Sequence, residues 1–355
     1  MDPRRAARRE ALRTLHPGYF ALVMATGIVS VGLRSLGVPA VSVPLLWLAG
    51  TAYAVLVVLN GWRLVSFPAE MRRDLSHPVR GFGFFTFVAG TNVLGSRLIL
   101  DGHVPAAVAL LATGALAWFL LGYVVLWNVV LGGAREGMLA GANGTWFIWI
   151  VASQSVALLA AQLQPAVTTG QRELALLAVF SWSVGLLWYG VVGTLVTARL
   201  LLYQVQPADL TPPYWVAMGA TAISVLAGAR MVQMADAPVV EATRGLIAGT
   251  VVVFWALGTW LIPALLAAGW WRHVLRRVPL RYEATWWSIV FPVGMYGVAS
   301  IALGEADQLP IVATIGEYEM WVAAGVWLAV FVAMLAHLAR TLRREPAGRT
   351  PPAGA

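Results

Sequence analysis

At 355 residues, with 59% hydrophobic and 11% charged side chains and a mean hydropathy of +0.76, the chain is too apolar for a soluble domain, in which about a quarter of residues carry charge. It reads as an integral membrane protein. It has no cysteine, which excludes disulfides, thiolate metal sites and cysteine nucleophiles. The net charge is +8 and all 24 basic residues are arginine, but they sit in short loops between apolar spans. Membrane topology therefore accounts for them, and no nucleic-acid partner is expected.

Residues 1–17 form a basic N-terminal segment with Arg4, Arg5, Arg8, Arg9 and Arg13, amphipathic enough to lie on a membrane surface. The first span, 18–36, follows. A basic segment before an apolar run, with Val38-Pro39-Ala40 behind it, is also a signal-peptide pattern. The run shares its texture with later spans, however, and is read as a retained helix. Further spans fall at 43–65, 81–100, 104–131, 143–163, 172–203, 211–233, 243–269, 285–304 and 316–340, each near or above the ~20 residues needed to cross. The expectation is an all-α integral membrane domain of ten helices over 18–340, with no room for a soluble domain. The Pro/Gly/Ala-rich segment 341–355 reads as a disordered tail. The 35 glycines and 19 prolines suit membrane helices, which use small residues for close packing.

Alternating sides from an internal N-terminus leaves Arg34, Arg97, Arg172, Arg230 and Arg244 outside and every other arginine inside, including Arg135, Arg344 and Arg349. The positive-inside rule then places both termini in the cytoplasm. The all-arginine, Ala- and Gly-rich composition suggests a GC-rich bacterial genome, hence a bacterial cell (inner) membrane.

Odd-numbered spans begin near residues 18, 81, 143, 211 and 285 and share an aromatic-then-small texture: YFALVMATG, FGFFTFVAGTN, TWFIWIVASQS, YWVAMGATAIS and WWSIVFPVGMYG. Five helical hairpin repeats are the economical reading. Odd helices would then surround a central pore, with the greasier even helices outside; the other reading is that small residues only permit tight packing. In the ninth span Pro292, after Phe291, frees a backbone carbonyl mid-membrane and is expected to kink a helix that faces protein or a cavity rather than lipid.

At Met24-Ala25-Thr26-Gly27, at His77-Pro78-Val79-Arg80 leading into Phe84 and Phe85, and at Trp286-Trp287 followed by Phe291-Pro292, the chain resembles the tellurite-resistance/C4-dicarboxylate transporter family. That family includes plant slow anion channels, fungal malate permeases and sulfite exporters, and the resemblance covers about residues 16–338. It implies a homotrimer in which each protomer has its own pore, lined by the odd helices and closed by a phenylalanine at the position of Phe291. It also implies a second aromatic constriction at Phe84 or Phe85. The extended phosphorylated N-terminus of the plant channels is absent, so kinase gating is not carried over.

An apolar anion pathway needs positive potential at its mouths and few strong sites inside. Arg34, Arg97 and Arg230 at the outer ends of odd spans, and Arg80 and Arg281 at the inner side, are candidate vestibule charges. Equally, the outer three snorkel to lipid or pair with Asp101, Asp236 or Glu241, and Arg80 is structural. Thr26, Ser30, Thr91, Asn92, Ser153, Gln154, Thr221 and Ser224 are candidate pore-lining residues, or else they satisfy backbone carbonyls within their helices. Phe291 itself is either packing or a gate. The acidic residues are read as lying in loops, tails or span ends, which favours a passive pathway over tight proton coupling. The five histidines show no metal-ligand spacing and there is no catalytic cluster, so neither metal, cofactor nor enzyme activity is expected. Trp residues near span ends are read mostly as interfacial anchors.

The function expected is transport of small anions such as chloride, nitrate or C4-dicarboxylate through a phenylalanine-gated pore. The alternative is a proton-coupled dicarboxylate, sulfite or tellurite exporter. The remaining partners expected are membrane lipids.

Overall fold

In a bilayer, long apolar runs must satisfy their own backbone amides, and the helix is the way a single run does so. The computed structural model describes residues 3–131 and 139–343. Arg135, Arg344, Arg349 and most of the tail segment lie outside the described residues. Twelve helices carry the argument: α1 (Pro3–Arg13), α2 (Pro17–Ser35), α3 (Pro39–Ser66), α4 (Pro68–Leu75), α5 (Arg80–Ile99), α6 (Val104–Leu131), α7 (Gly144–Ala166), α8 (Gln171–Leu202), α9 (212–231), α10 (Pro238–Leu275), α11 (Ala284–Ala306) and α12 (Pro310–Arg343). The proline at or next to the start of α3, α10 and α12 follows from its fixed φ and from the first turn needing no N–H.

Two rings result. In the most apolar stretch of α2, α5, α7 and α11, 72–94% of residues are buried, against 11–39% for α3, α6, α8, α10 and α12. All of Val216–Met231 in α9 is buried except Ala217 and Arg230. Each of these inner helices packs against the next, α2 on α5, α5 on α7, α7 on α9, α9 on α11, and α11 back on α2, so the inner ring closes. Each also packs against the outer helix that follows it in the chain.

Nine of these segments, among the described residues, are long and apolar enough to cross a membrane, one fewer than the ten anticipated. The one that falls short is α9, the expected span at 211–233. Enclosed by α7, α8, α10 and α11, it needs no lipid-facing stripe, and its Ala, Gly, Ser and Thr positions with Arg230 dilute its hydropathy. The tenth expected span also begins earlier than anticipated, at Pro310 rather than 316, which places Glu317 and Glu319 inside α12 rather than at its edge. The reading that every acidic residue avoids the spans is corrected accordingly.

Pro292 sits inside the unbroken helical run Trp287–Ala306. Its ring lies where α9 offers no side chain, since a Cβ on Gly219 would stand 2.8 Å from the proline Cγ. A glycine is required there for the close approach of α9 and α11.

Candidate functional site

Each outer helix is hydrogen-bonded to the inner helix that follows it in the chain, and the last, α12, to α2. Tyr53 on α3 shares one with Thr91 on α5 at 3.0 Å, and Trp118 Nε1 on α6 donates to Ser153 Oγ on α7 at 2.7 Å. Trp182 Nε1 on α8 donates to the Ser224 carbonyl on α9, and Trp255 Nε1 on α10 to Ser300 Oγ on α11, both at 3.0 Å. Trp327 Nε1 on α12 then closes the set on Thr26 Oγ1 of α2 at 3.0 Å. A buried indole N–H needs an acceptor, and the neighbouring helix supplies it, as a small hydroxyl for Trp118, Trp255 and Trp327 and as a backbone carbonyl for Trp182. These four mid-span tryptophans are therefore inter-ring fasteners. Each even span carries several aromatics, such as Trp47, Tyr53 and Trp62 in the second, so nothing local singles out the ones that fasten.

The eight polar residues proposed for the pore lining are placed by the same bonds. Thr26, Thr91 and Ser153 accept or share the bonds just described. Ser30 bonds Ser42 on α3 at 3.2 Å and takes a bond from Arg97 at 2.9 Å. Gln154 donates to the Trp182 carbonyl on α8 at 3.1 Å. Asn92 donates to Ser155 on α7 at 2.9 Å and its side chain crowds Gly114 on α6. Thr221 bonds the Met218 carbonyl beside Gly258 of α10, and Ser224 Oγ the Ala220 carbonyl. The side chains with partners on outer helices thus face the outer ring.

An α-helix turns 3.6 residues per turn, so nine residues are two and a half turns and lead to the opposite face. Phe291 stands nine residues before Ser300, the residue held by Trp255, and so on the face of α11 turned to the ring axis. It is 1% exposed. Of the two other aromatics singled out, Phe85 is buried and stacks on Trp149 of α7 at 5.9 Å, whereas Phe84 is half-buried. Phe82, Trp146 and Trp149 complete that aromatic cluster, and the sequence reading did not single them out.

The same nine-residue step leads to one end of the ring. From Thr91, Ser153 and Thr221 it leads to Leu100, Gln162 and Arg230, and all three line one cavity of about 450 Å³, together with Ile99, Pro165 and Gln233. The cavity sits at the C-terminal ends of α5, α7 and α9. Of the arginines expected there, only Arg230 lines it; its Nη1 donates to Gln233 at 3.3 Å, and it makes no ion pair among the described residues. Arg97 is fully buried on the outward face of α5, held by Asp101 at 2.7 Å, with Nη2 unpartnered. Arg34 shares Asp101 at 3.1 Å. Burial pulls the Asp101 carboxyl up, but the bonds from Arg97 and Arg34 outweigh it and hold the group below its ordinary range. One carboxylate between two guanidiniums leaves a positive excess at this end.

The opposite end repeats that ratio. Asp74 on α4 accepts from Arg63 Nη2 at 2.7 Å and from Arg80 Nη2 at 3.1 Å, while Arg63 Nε also holds the Arg13 carbonyl of α1. Arg80 is thus committed to Asp74, and Arg281 is exposed without an ion pair among the described residues. Between them His16 caps α2, its Nδ1 accepting from the Gly18 N–H at 3.0 Å. Burial, then the nearby Arg80, push its pKa down to about 4, against a weaker upward pull from Asp74.

No cluster of three His, Asp or Glu residues that could hold a metal ion occurs among the described residues. A family model described as voltage-dependent anion channel, SLAC1, matches residues 14–335. Over 157 residues, 44% of this chain and 80% of the relative, the chain is 67% identical to an uncharacterized membrane protein of Mycobacterium tuberculosis. It is 24% identical over 333 residues to an uncharacterized transporter of Methanocaldococcus jannaschii, covering 92% of this chain and 94% of the relative. It is 22% identical over 355 residues to a sulfite efflux pump of Arthroderma otae, covering 92% of each.

Proposed function

Because the chain belongs to the voltage-dependent anion channel (SLAC1) family, that of the tellurite-resistance/C4-dicarboxylate transporters, we propose that small anions cross the membrane along the axis of its inner ring, with Phe291 as the gate. The family and the relatives' names speak for a transporter rather than an enzyme. Arg230 draws anions to the outer cavity, where Gln162 and Gln233 offer amide groups at modest strength, so a bound ion can leave again. Beyond the cavity the path runs between apolar faces. The N-termini of the inner helices add partial positive charge at the other end, where the excess over Asp74 and the free Arg281 do the same. Phe291 narrows the axis between them. Chloride, nitrate, sulfite and C4-dicarboxylate all fit this description, and pore radius and field select among them.

The observation that carries the reading is the position of Phe291, fully buried and half a turn out of phase with Ser300. Phe291→Ala in liposomes or planar bilayers should raise anion flux at least about tenfold, in line with about 1.4 kcal/mol or more of barrier removed. An unchanged flux rejects the gate.

A second reading, a proton-coupled exporter, is favoured by Glu319, a half-buried carboxyl in α12, and by the name of the fungal relative. It requires uphill anion movement driven by a pH gradient, lost in Glu319→Gln; purely downhill flux rejects it. We further propose a trimer in the inner membrane of a bacterium with both termini in the cytoplasm. Arg13, Arg63, Arg80 and the loop of Arg276, Arg277 and Arg281 sharing the face where the inner helices begin supports that orientation. The trimer rests on the family resemblance, and cross-linking counts its copies.

A further inference from the structure

A large cavity lies away from the ring axis. It lies on the outer side of the molecule, between α8 and α10, over the N-terminal end of α9, with a volume of about 1010 Å³. Its walls are apolar, formed by Tyr189, Gly193 and Leu200 of α8 and by Trp260, Leu261 and Ala264 of α10. At one end it reaches Arg272 and His273, where α10 widens into a π-turn over Trp271–Leu275. The chain then reverses through Arg277, whose left-handed φ of 53° ends the helix, and Val278 closes the turn with an N–H bond to the Arg272 carbonyl at 3.1 Å.

The polar end is strongly basic. Arg272, Arg276, Arg277 and Arg281 crowd into ten residues, and none of them makes an ion pair among the described residues. Arg272 Nη1 is spent on the Leu210 carbonyl at 2.6 Å, and its Nε is buried without a partner. The nearby carboxylates pair with none of these arginines among the described residues, since Asp209 is taken by Arg199 at 2.9 Å and Glu283 accepts from the Thr285 hydroxyl at 3.4 Å.

We propose that this cleft holds an acyl chain of an anionic membrane lipid whose phosphate lies among Arg272, Arg276, Arg277 and Arg281. The chemistry matches at both ends: a long apolar slot open to the hydrocarbon, and an uncompensated cationic rim at headgroup depth. A second copy of the chain fits less well, because it brings its own arginine-rich loops to the same depth. The occupant is structural or regulatory, and the proposal does not depend on which anion the ring carries.

The test uses the full chain purified in mild detergent, with phosphatidylglycerol or phosphatidylcholine of the same acyl chains added and binding counted by native mass spectrometry. Phosphatidylglycerol should bind at least about tenfold more tightly. The exposed triple substitution Arg276→Ala, Arg277→Ala and Arg281→Ala should remove that preference. Gly193→Leu probes the slot without harming the fold, since a Cβ at Gly193 meets nothing within 4 Å. It should lower phosphatidylglycerol binding at least about fivefold at an unchanged melting temperature. Equal binding of the two lipids overturns the proposal. So does unchanged lipid binding in Gly193→Leu accompanied by a loss of subunits, which assigns the cleft to a neighbouring copy.

Discussion

The two faces of the inner helices are built by opposite rules. On the outward face the expected hydroxyls are bonded and the Asn92 and Gln154 amides donate, though their oxygens are unpartnered, and tryptophan or tyrosine from the outer ring reaches in at Thr91, Ser153, Ser224, Ser300 and Thr26. On the axial face α11 offers the Phe291 ring, and at the C-terminal ends of the inner helices Gln162 and Arg230 line a cavity. In hydrocarbon an unsatisfied polar group is costly, so hydroxyls are placed where another helix can bond them. A conducting axis benefits from the reverse, since a side chain that binds an ion well also retains it. Polarity in the sequence therefore marks the joint between the rings more than it marks the path.

Arg97 breaks this comparison most severely. It is the largest polar group on the outward face, completely buried, and bonded to Asp101, Ser30 and Ser42. Arg97→Met takes one guanidinium from Asp101, which keeps Arg34, and leaves Ser30 and Ser42 bonded to each other, at a cost of about 1.5–3 kcal/mol for the lost charge-assisted bonds. Thermal melts in detergent measure it. A loss below about 1 kcal/mol would show that the outward face is not what fastens the rings.

His16 comes next, because it fixes the start of α2 by accepting from Gly18. Its folded pKa of about 4 lies below the ordinary 6.5, so protons favour the unfolded state. Stability is complete above about pH 6.5, falls as pH drops from there, and levels near pH 4, with a span of roughly 3 kcal/mol. His16→Asn keeps a capping acceptor and removes the titration. The pH-dependence of the melt over that window should flatten in the variant; an identical slope would place the acid-sensitive group elsewhere.

The individual fasteners are smaller. A double-mutant cycle on Trp118→Phe and Ser153→Ala should give a coupling of about 0.6–1.5 kcal/mol. Anion flux should be nearly unchanged, since neither side chain reaches the axis. A large change in flux with no coupling would reverse the assignment of the two faces.

Much of this was legible before the structure. Apolar runs and their texture gave the spans and the division into odd and even helices, because hydropathy and small-residue content are local properties of a membrane helix. Phe291 was found through Pro292 and the family resemblance. What could not be read was direction. Ser153 and Gln154 are adjacent in sequence, and nothing local says that Trp118 and Trp182 lie outside them. Arg34, Arg97 and Arg230 look alike as charges near span ends, and only tertiary placement shows that Asp101 holds the first two and leaves the third free. α9 was expected to be a span like the other odd ones, but its enclosure by four helices lets its hydropathy fall below theirs. Glu319 was misplaced by a boundary error of a few residues at Pro310.

The gentlest perturbation distinguishes the axial face from the outward one most directly. Arg230 is partly exposed, lines the outer cavity and has Gln233 as its only side-chain partner among the described residues. Arg230→Gln should therefore leave the melting temperature unchanged within about 0.5 kcal/mol, in contrast to Arg97→Met. Its effect should appear in transport from that side, as a two- to fivefold drop at about 0.01 M ionic strength, where the Debye length is ~30 Å. At about 0.15 M the length is ~8 Å and the drop should largely vanish, because a steering charge acts on the approaching ion through solvent. A drop that persists at the higher ionic strength would mean that Arg230 holds the anion by direct contact, and a loss of stability would place it with Arg97 on the fastened face.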